Sequence, residues 1–294
     1  MKKKFIFIGI GTLLILFIIF ANMDNNIPSD TNRSGNLYTP KPNSAKLSDG
    51  WGTPIAVSLN TKFWEDGAYI SGDGKTLYYV IYPGEDLVND VINNDFKGDI
   101  DIYYSEYPFT ERKRHSLSEK PWSEGGVMIS GKDIYYHSNK PVNSKDKNYD
   151  TNIYKNKELL SFNTEDPMDD PHYCSLKNEL YFWSNKQIYV YKNNVVQKLH
   201  APINEGEENI QPFLTSDCQI MYFASKRDSD SVLKIYKSKR IDEDNWEKPE
   251  VVISSKFSVG EPTLTDDGNK IFFVQISVSD DGKFSSDVYY TEKK

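Results

Sequence analysis

Acidic residues recur along the chain just before short apolar segments that have the pattern of β-strands. The members are Glu65, Asp66, Glu124, Asp169, Asp170, Glu208 and Glu261. If these strands surround a central channel, the carboxylates would converge at its mouth and focus a negative electrostatic field there. One interpretation is therefore a binding site for a cation or a basic peptide. The other interpretation is that these side chains accept hydrogen bonds from loop backbone groups and solvate the surface. Both remain open, and the structural interpretation is favoured.

Paired carboxylates can also hydrolyse a glycosidic bond when they lie at a set separation across a sugar pocket. The acids of this chain recur in every copy of a repeat, as a structural role predicts, whereas a catalytic pair would break the repeat. We therefore expect a binding module for a protein, peptide or glycan. A carbohydrate-active enzyme, either a glycosidase or a lyase, is the alternative.

The histidines offer a second kind of candidate group. No two of the four lie at the spacing of metal ligands, and no Cys-x-x-Cys motif is present, so the sequence predicts no metal and no cofactor. His172 falls at the start of a predicted inner strand, beside Asp169 and Asp170. It is therefore the candidate that could reach a central channel, although packing or surface roles are favoured for all four histidines.

The two cysteines occupy positions of different type. Cys174 aligns with apolar strand residues of the other repeats, whereas Cys218 falls in a turn of a different repeat. An exported protein can form a disulfide. The sequence nevertheless favours a buried thiol for Cys174 over pairing.

The elements that must position these residues follow from a phrase that occurs five times. A small polar residue and a tight turn precede two adjacent aromatic residues, and a third short strand follows. The aromatic pairs are Tyr78-Tyr79, Tyr135-Tyr136, Tyr181-Phe182, Tyr222-Phe223 and Phe272-Phe273. A fixed phrase at intervals of roughly 40 to 60 residues is typical of a repeat architecture with one supersecondary unit per copy. Gly, Asn and Asp in the turns suit β-hairpins.

A fourth strand is predicted from a Trp-x-x-Pro-x-x-Val spacing. It occurs at residues 246–252 and again at residues 51–57, before the first repeat. The last repeat ends without its own fourth strand, so the N-terminal copy is expected to complete it. Such closure removes an unpaired sheet edge. The predicted fold is an all-β, five-bladed β-propeller of four-stranded blades.

The phrases resemble the WD40-like, or PD40, repeats of bacterial envelope proteins, a group that includes the TolB propeller. Residues 59–79 and 261–273 carry the closest matches, and the resemblance covers residues 51–294. Two copies shorten the Asp-Gly turn, and one has Cys218 where glycine is usual. The resemblance implies a propeller in the cell envelope and no particular activity. A TolB-like partnership is not carried over.

The N-terminus has the pattern of a targeting segment. Three lysines at residues 2–4 precede an uncharged apolar run over residues 5–21. We expect residues 1–22 to be a transmembrane signal anchor, residues 23–50 a flexible linker and residues 51–294 the propeller. The lysines predict that the propeller lies outside the bacterial cytoplasmic membrane. Secretion after signal cleavage is the alternative. The net charge of −8 argues against nucleic-acid binding.

Overall fold

The computed structural model describes residues 44–142, 150–164, 166–230 and 232–294. The described residues form five antiparallel sheets arranged as the blades of a β-propeller. The N-terminal segment contributes two short strands, β1 (Lys46–Leu47) and β2 (Ile55–Ala56). Blade 1 consists of β3 (Trp64–Ile70), β4 (Thr76–Tyr82), β5 (Asp101–Glu106) and β6 (Lys113–Arg114). Blade 2 consists of β7 (Glu124–Ser130), β8 (Asp133–Ser138), β9 (Asn152–Lys155) and β10 (Glu158–Leu159).

The remaining three blades repeat this order. Blade 3 consists of β11 (Asp169–Cys174), β12 (Glu179–Ser184), β13 (Gln187–Lys192) and β14 (Val195–Lys198). Blade 4 contains β15 (Asn209–Leu214), β16 (Ile220–Ser225), β17 (Lys234–Lys239) and β18 (Glu250–Ser254). Blade 5 contains β19 (Ser258–Leu264), β20 (Lys270–Val278) and β21 (Phe284–Glu292). The first strands of successive blades contact one another in a ring, and β19 contacts β3 to complete it.

The recurrent aromatic phrase forms the second strand of every blade, as predicted. The second member of each pair is buried, as in Tyr79, Phe182, Phe223 and Phe273. The aliphatic residue of each third strand is buried as well, with Ile153, Ile188 and Ile235 fully enclosed. These side chains fill the space between neighbouring sheets. Burial of large apolar side chains is therefore what holds one blade against the next.

The predicted closure by the N-terminal segment is confirmed. Strand β2 pairs with β21, with Ile55 opposite Tyr290, and Trp51 forms a bridge to Lys293. The structure adds a second attachment, because β1 joins the outer edge of blade 4 with Lys46 opposite Ser254. Blade 4 thus has five strands. The N-terminal segment completes one blade and extends its neighbour.

An asparagine precedes three of the blades and bonds to the third strand of the blade before it. The backbone N–H and C=O of Ile188 both bond to the side chain of Asn204, at 2.9 and 2.8 Å. Asn163 bonds in the same way to Ile153, and Asn60 to Val288. We call these three residues the asparagine anchors. They satisfy backbone groups that would otherwise be buried without partners at the end of a short ladder.

The polar insert of blade 1 contains the short helix α1 (Leu87–Asn93). The Asp86 carboxylate caps it, accepting a hydrogen bond from Asn89 N at 3.0 Å, as expected of an N-cap aspartate. The same side chain accepts a hydrogen bond from Phe284 N in blade 5 at 2.9 Å. Leu87 and Val88 are buried. The insert therefore packs against blades 1 and 5.

The expectation of a free thiol at Cys174 is wrong. Cys174 and Cys218 form a disulfide with a Cα–Cα distance of 5.9 Å, and both are almost fully buried. Cys174 ends the first strand of blade 3, and Cys218 lies in the first turn of blade 4. The two cysteines belong to different repeats, but these repeats form neighbouring blades, so the two sulfur atoms lie within bonding distance. The predicted alignment was also off by one residue, because Tyr173, and not Cys174, pairs with Leu180 as Ile70 pairs with Leu77.

The predicted signal anchor over residues 1–22 lies outside the described residues. Within the described part of the chain, no helix is both long and apolar enough to cross a membrane. The predicted linker also lies outside the described residues up to residue 43, and β1 occupies part of its remainder.

Candidate functional site

The first strand of every blade carries a β-bulge at the same register. The pairing with the second strand shifts between Asp66 and Tyr69 in blade 1, and at the equivalent step in the other four blades. The residue after the start of each shift has a left-handed backbone. These residues, one per blade, are Gly67 (φ 58°), Gly126 (59°), Asp170 (48°), Gln211 (58°) and Glu261 (53°). Glycine adopts this conformation freely, whereas the backbone of the other three residues is strained.

The left-handed residues surround a cavity of about 30 Å³ at the centre of the ring, partly open to solvent, which we call the channel cavity. Tyr69, His172 and Phe213 contribute to its wall, together with the three polar left-handed residues. A volume of this size holds one or two water molecules or one small charged group. Of the described residues that line it, none is a lysine or an arginine.

Asp170 and Asp66 are each held by a tryptophan. The indole N–H of Trp183 donates to Asp170 Oδ2 at 2.7 Å, and that of Trp64 donates to Asp66 Oδ2 at 3.2 Å. Burial raises the pKa of both carboxyls above the ordinary aspartate value, and for Asp66 the charge of Asp170 contributes further. The two carboxyls are therefore near enough to interact, although Asp66 itself does not line the channel cavity.

Glu261 and Gln211 form a reciprocal pair between blades 5 and 4. The Gln211 side-chain amide donates to Glu261 Oε1, and Glu261 N donates to Gln211 Oε1 at 3.1 Å. Burial raises the pKa of Glu261 well above its usual range, and the charges of Asp170 and Asp66 add to the effect. Carboxyls from three blades thus interact at the channel.

His172 lines the channel cavity and packs against the ring of Phe213, with ring centroids 4.6 Å apart. Burial lowers the pKa of His172 to about 3, so the imidazole is neutral at physiological pH. It therefore contributes no positive charge to the cavity.

The predicted acids Glu65, Glu124 and Glu208 are buried and do not line the channel cavity. Glu65 is fully buried and accepts a hydrogen bond from Thr61 N at 3.1 Å, and burial raises its pKa to about 8. Glu124 accepts a hydrogen bond from Glu119 N at 3.3 Å, and burial raises its pKa to about 9. Glu208 pairs with Lys226 at 2.9 Å. These three acids support the loops that lead into the first strands.

Asp169 is fully buried beside a histidine that the sequence did not single out for the site. His137 Nδ1 lies 3.5 Å from an oxygen of Asp169 and 3.5 Å from one of Asp170. Burial raises the pKa of Asp169 and lowers that of His137 to about 3. The sequence feature that could have pointed to His137 is the Gly125-Gly126 pair, which lies against its ring. A Cβ at Gly125 would lie 2.6 Å from His137 Nε2, so this glycine makes room for the ring.

The site can therefore attract a small positive group and hold it by carboxyl oxygens. Their raised pKa values mean that the carboxyls tend to retain protons, and a cation bound beside them would favour the release of those protons. Within the described ranges, no group of three or more His, Cys, Asp or Glu side chains has an arrangement that could hold a metal ion. An organic cation, such as a lysine ammonium group, matches the size and the charge.

No family model matches the chain, and no curated protein matches it. Among solved structures, TolB from Acinetobacter baumannii is 15% identical with a TM-score of 0.46, over 80% of this chain and 56% of that chain. The putative TolB from Agrobacterium tumefaciens is 13% identical with a TM-score of 0.48, over 82% and 89% of the two chains. Bacteroides ovatus xyloglucan PUL GH43B is 11% identical with a TM-score of 0.50, over 81% and 54%.

This chain therefore spans little more than half the length of two of these proteins. At such identities the likeness concerns the fold alone. The predicted five-bladed propeller fold is confirmed by the five antiparallel sheets and by the closed ring of their first strands.

Proposed function

We propose that the chain is a binding module whose propeller takes a positively charged group of a basic peptide or protein into the channel cavity. The observation that supports this is the convergence of Asp170 and Glu261, from different blades, on a cavity with no lysine or arginine among its described lining residues. Opposite charge gives such a site specificity and a faster association rate. Burial strengthens the interaction further, because water screens it less.

The size of the cavity favours this function over cleavage of a glycan. Sites that enclose a small-molecule ligand usually measure roughly 300 Å³ or more. The channel cavity, at about 30 Å³, is an order of magnitude smaller. It accepts the tip of a side chain, and a sugar ring would have to remain outside it.

The test is calorimetric titration of the soluble propeller with an octalysine peptide. We expect binding that the double variant Asp170→Asn/Glu261→Gln weakens by about tenfold, the effect of losing roughly 1.4 kcal/mol. The matched control is Asp280→Asn/Glu247→Gln, which removes two exposed acids elsewhere on the surface. Equal losses in both double variants would mean that the peptide responds only to overall charge, and the proposal would fail. A glycan array on the same protein tests the sugar alternative.

We propose further that residues 1–22 anchor the propeller at the outer face of a bacterial cytoplasmic membrane. Three lysines followed by an uncharged apolar run support this topology. Protease added to intact spheroplasts should digest the propeller while the membrane retains the N-terminal segment. Protection from the protease, or recovery of the chain in the medium, would contradict the anchored topology.

A further inference from the structure

Two of the three left-handed polar residues at the channel bond through their backbone to a side chain of the preceding blade. Asp170 N donates to Nδ1 of His137 in blade 2 at 3.1 Å. Glu261 N donates to Oε1 of Gln211 in blade 4 at 3.1 Å. The donors occupy the same register position in blades 3 and 5, and an acceptor side chain from the neighbouring blade reaches each of them.

Both acceptors occupy space that glycines leave open. Gly125 and Gly126 lie against the ring of His137, and a Cβ on Gly126 would lie 2.7 Å from Asp170 Oδ1. A Cβ on Gly260 would lie 2.4 Å from Gln211 Oε1. Such distances are below ordinary van der Waals contact, so a larger residue would displace the acceptor or the carboxyl.

The left-handed conformation determines where these carboxyl groups point. A residue other than glycine is strained there, and the strain persists only when surrounding contacts hold it in place. In blade 1 the equivalent residue is Gly67, which needs no such support, and its N–H bonds to the adjacent Asp66 side chain at 3.0 Å. The acceptors from a neighbouring blade are thus found where the left-handed residue carries a carboxyl.

We propose that His137 and Gln211 are positioning residues, which hold the left-handed backbone of Asp170 and Glu261 and so direct the two carboxyl groups into the channel cavity. This inference rests on the proposed function of the cavity. His137 acts through its unprotonated Nδ1, so the ring must be neutral with its proton on Nε2. Gln211 acts through its side-chain oxygen, while its amide group donates to the carboxyl that it positions.

The test compares variants that remove the acceptor with one that restores it. His137→Phe keeps a ring and loses Nδ1, whereas His137→Asn keeps an acceptor oxygen near the same place. Gln211→Met keeps the length of the side chain and loses both polar atoms. We expect His137→Phe and Gln211→Met to weaken octalysine binding by about fivefold, and His137→Asn to stay within about twofold of wild type.

Two further measurements separate positioning from general loss of structure. Hydrogen exchange at the Asp170 amide should become faster in His137→Phe and remain slow in His137→Asn, while urea unfolding shows that both are folded. His115→Phe is the matched control, because His115 Nδ1 also accepts a backbone N–H, from Leu117 at 3.2 Å, and does not line the cavity. It should bind octalysine like wild type.

The outcomes are distinguishable from those of the proposed function. If Asp170→Asn/Glu261→Gln weakens binding while folded His137→Phe and Gln211→Met bind like wild type, the positioning role is overturned and the binding site stands. If Asp170→Asn/Glu261→Gln binds like wild type, the proposed function itself is overturned. Should His137→Phe fail to fold, Gln211→Met and His137→Asn still decide the inference.

Discussion

The side chain of Asn204 bonds to both backbone groups of Ile188, accepting from its N–H at 2.9 Å and donating to its C=O at 2.8 Å. A third bond runs from Asn204 Nδ2 to Leu199 O at 2.7 Å. Asn204→Ala would leave these groups without partners beside a fully buried residue. We expect the free energy of unfolding to fall by about 2 kcal/mol in urea denaturation. Asn204→Asp keeps the acceptor but places a carboxylate oxygen against the carbonyl oxygens of Ile188 and Leu199, so it should destabilise the protein at least as much as Asn204→Ala. An unchanged midpoint in Asn204→Ala would contradict the anchoring role.

Stability should decrease as pH rises from about 4.5 to about 8 or 9, because Glu65 and Glu124 have raised pKa values in the folded protein. Between the ordinary glutamate pKa and about 8 or 9, the folded state holds protons that the unfolded state has released. The stabilisation is complete at acidic pH and is lost as pH rises through those values. Over that interval, each such carboxyl lowers the free energy of unfolding by about 1.4 kcal/mol for every unit that the pH rises. Between pH 6 and pH 9, the free energy of unfolding measured in urea should fall less in Glu65→Gln than in wild type. The exposed variant Glu247→Gln should match wild type, and a wild-type slope in Glu65→Gln would refute the assignment.

Removal of the disulfide should destabilise the interface between blades 3 and 4. The bond closes a loop with a sequence separation of 44 residues. In Cys174→Ala/Cys218→Ala, we expect a loss of about 3 to 4 kcal/mol in the free energy of unfolding. Mass spectrometry of alkylated, unreduced wild type should find no free thiol. Alkylation of both cysteines in the unreduced, unfolded protein would show that they do not pair.

The two N-terminal strands should contribute unequally to stability. A chain that begins at Trp51 loses β1, whose two residue pairs lie on an outer edge. A chain that begins at Ser58 also loses β2 and the buried side chains of Trp51 and Val57. We expect the first truncation to lower the melting temperature by only a few degrees, roughly 1 kcal/mol, and the second to lower it much further. Equal melting temperatures of the two truncated chains would show that β2 does not close the ring.

Octalysine should bind more tightly as pH rises from 5 to 8.5. Burial raises the pKa of Asp66, Asp170 and Glu261, so these groups ionise in a range where exposed carboxyls are already charged. The lysine side chains stay positive throughout, so the change reports the protein. Titrations of wild type and Asp170→Asn/Glu261→Gln at several pH values check this. The double variant should show the weaker dependence, and equal dependence in both proteins would exclude the channel carboxyls as its source.

Much of the fold was predictable because it depends on local repetition. The aromatic pairs mark every second strand, and residues 51–57 reveal the closing strand through a spacing that occurs twice. Strand β1 has no such signal, because Lys46 and Leu47 are two ordinary residues in a polar stretch. Its pairing depends on the outer strand of blade 4, which is available only after the sheet of blade 4 has formed.

The candidate site was predictable only in part. Asp170, His172 and Glu261 do line the channel cavity, but sequence alone could not separate them from Glu65 and Glu124. The difference arises from the β-bulge, whose left-handed residue lines the channel cavity, whereas Glu65 and Glu124 lie two residues before the left-handed Gly67 and Gly126 and do not line it. Gln211 and His137 were missed because an amide and a histidine carry no repeat signal, and their partners lie in another blade. The disulfide was missed because its two cysteines also lie in different blades.

The double attachment of the N-terminal segment also determines how the propeller would respond to mechanical force. Tension on the chain at residue 44 reaches β1 first, and its two residue pairs on the edge of blade 4 can separate one after the other. Only then would the load pass to Trp51 and β2, the residues that close the ring. Strand β1 would therefore detach before the strand that closes the ring. Its detachment would leave all five blades and the channel carboxyls in place.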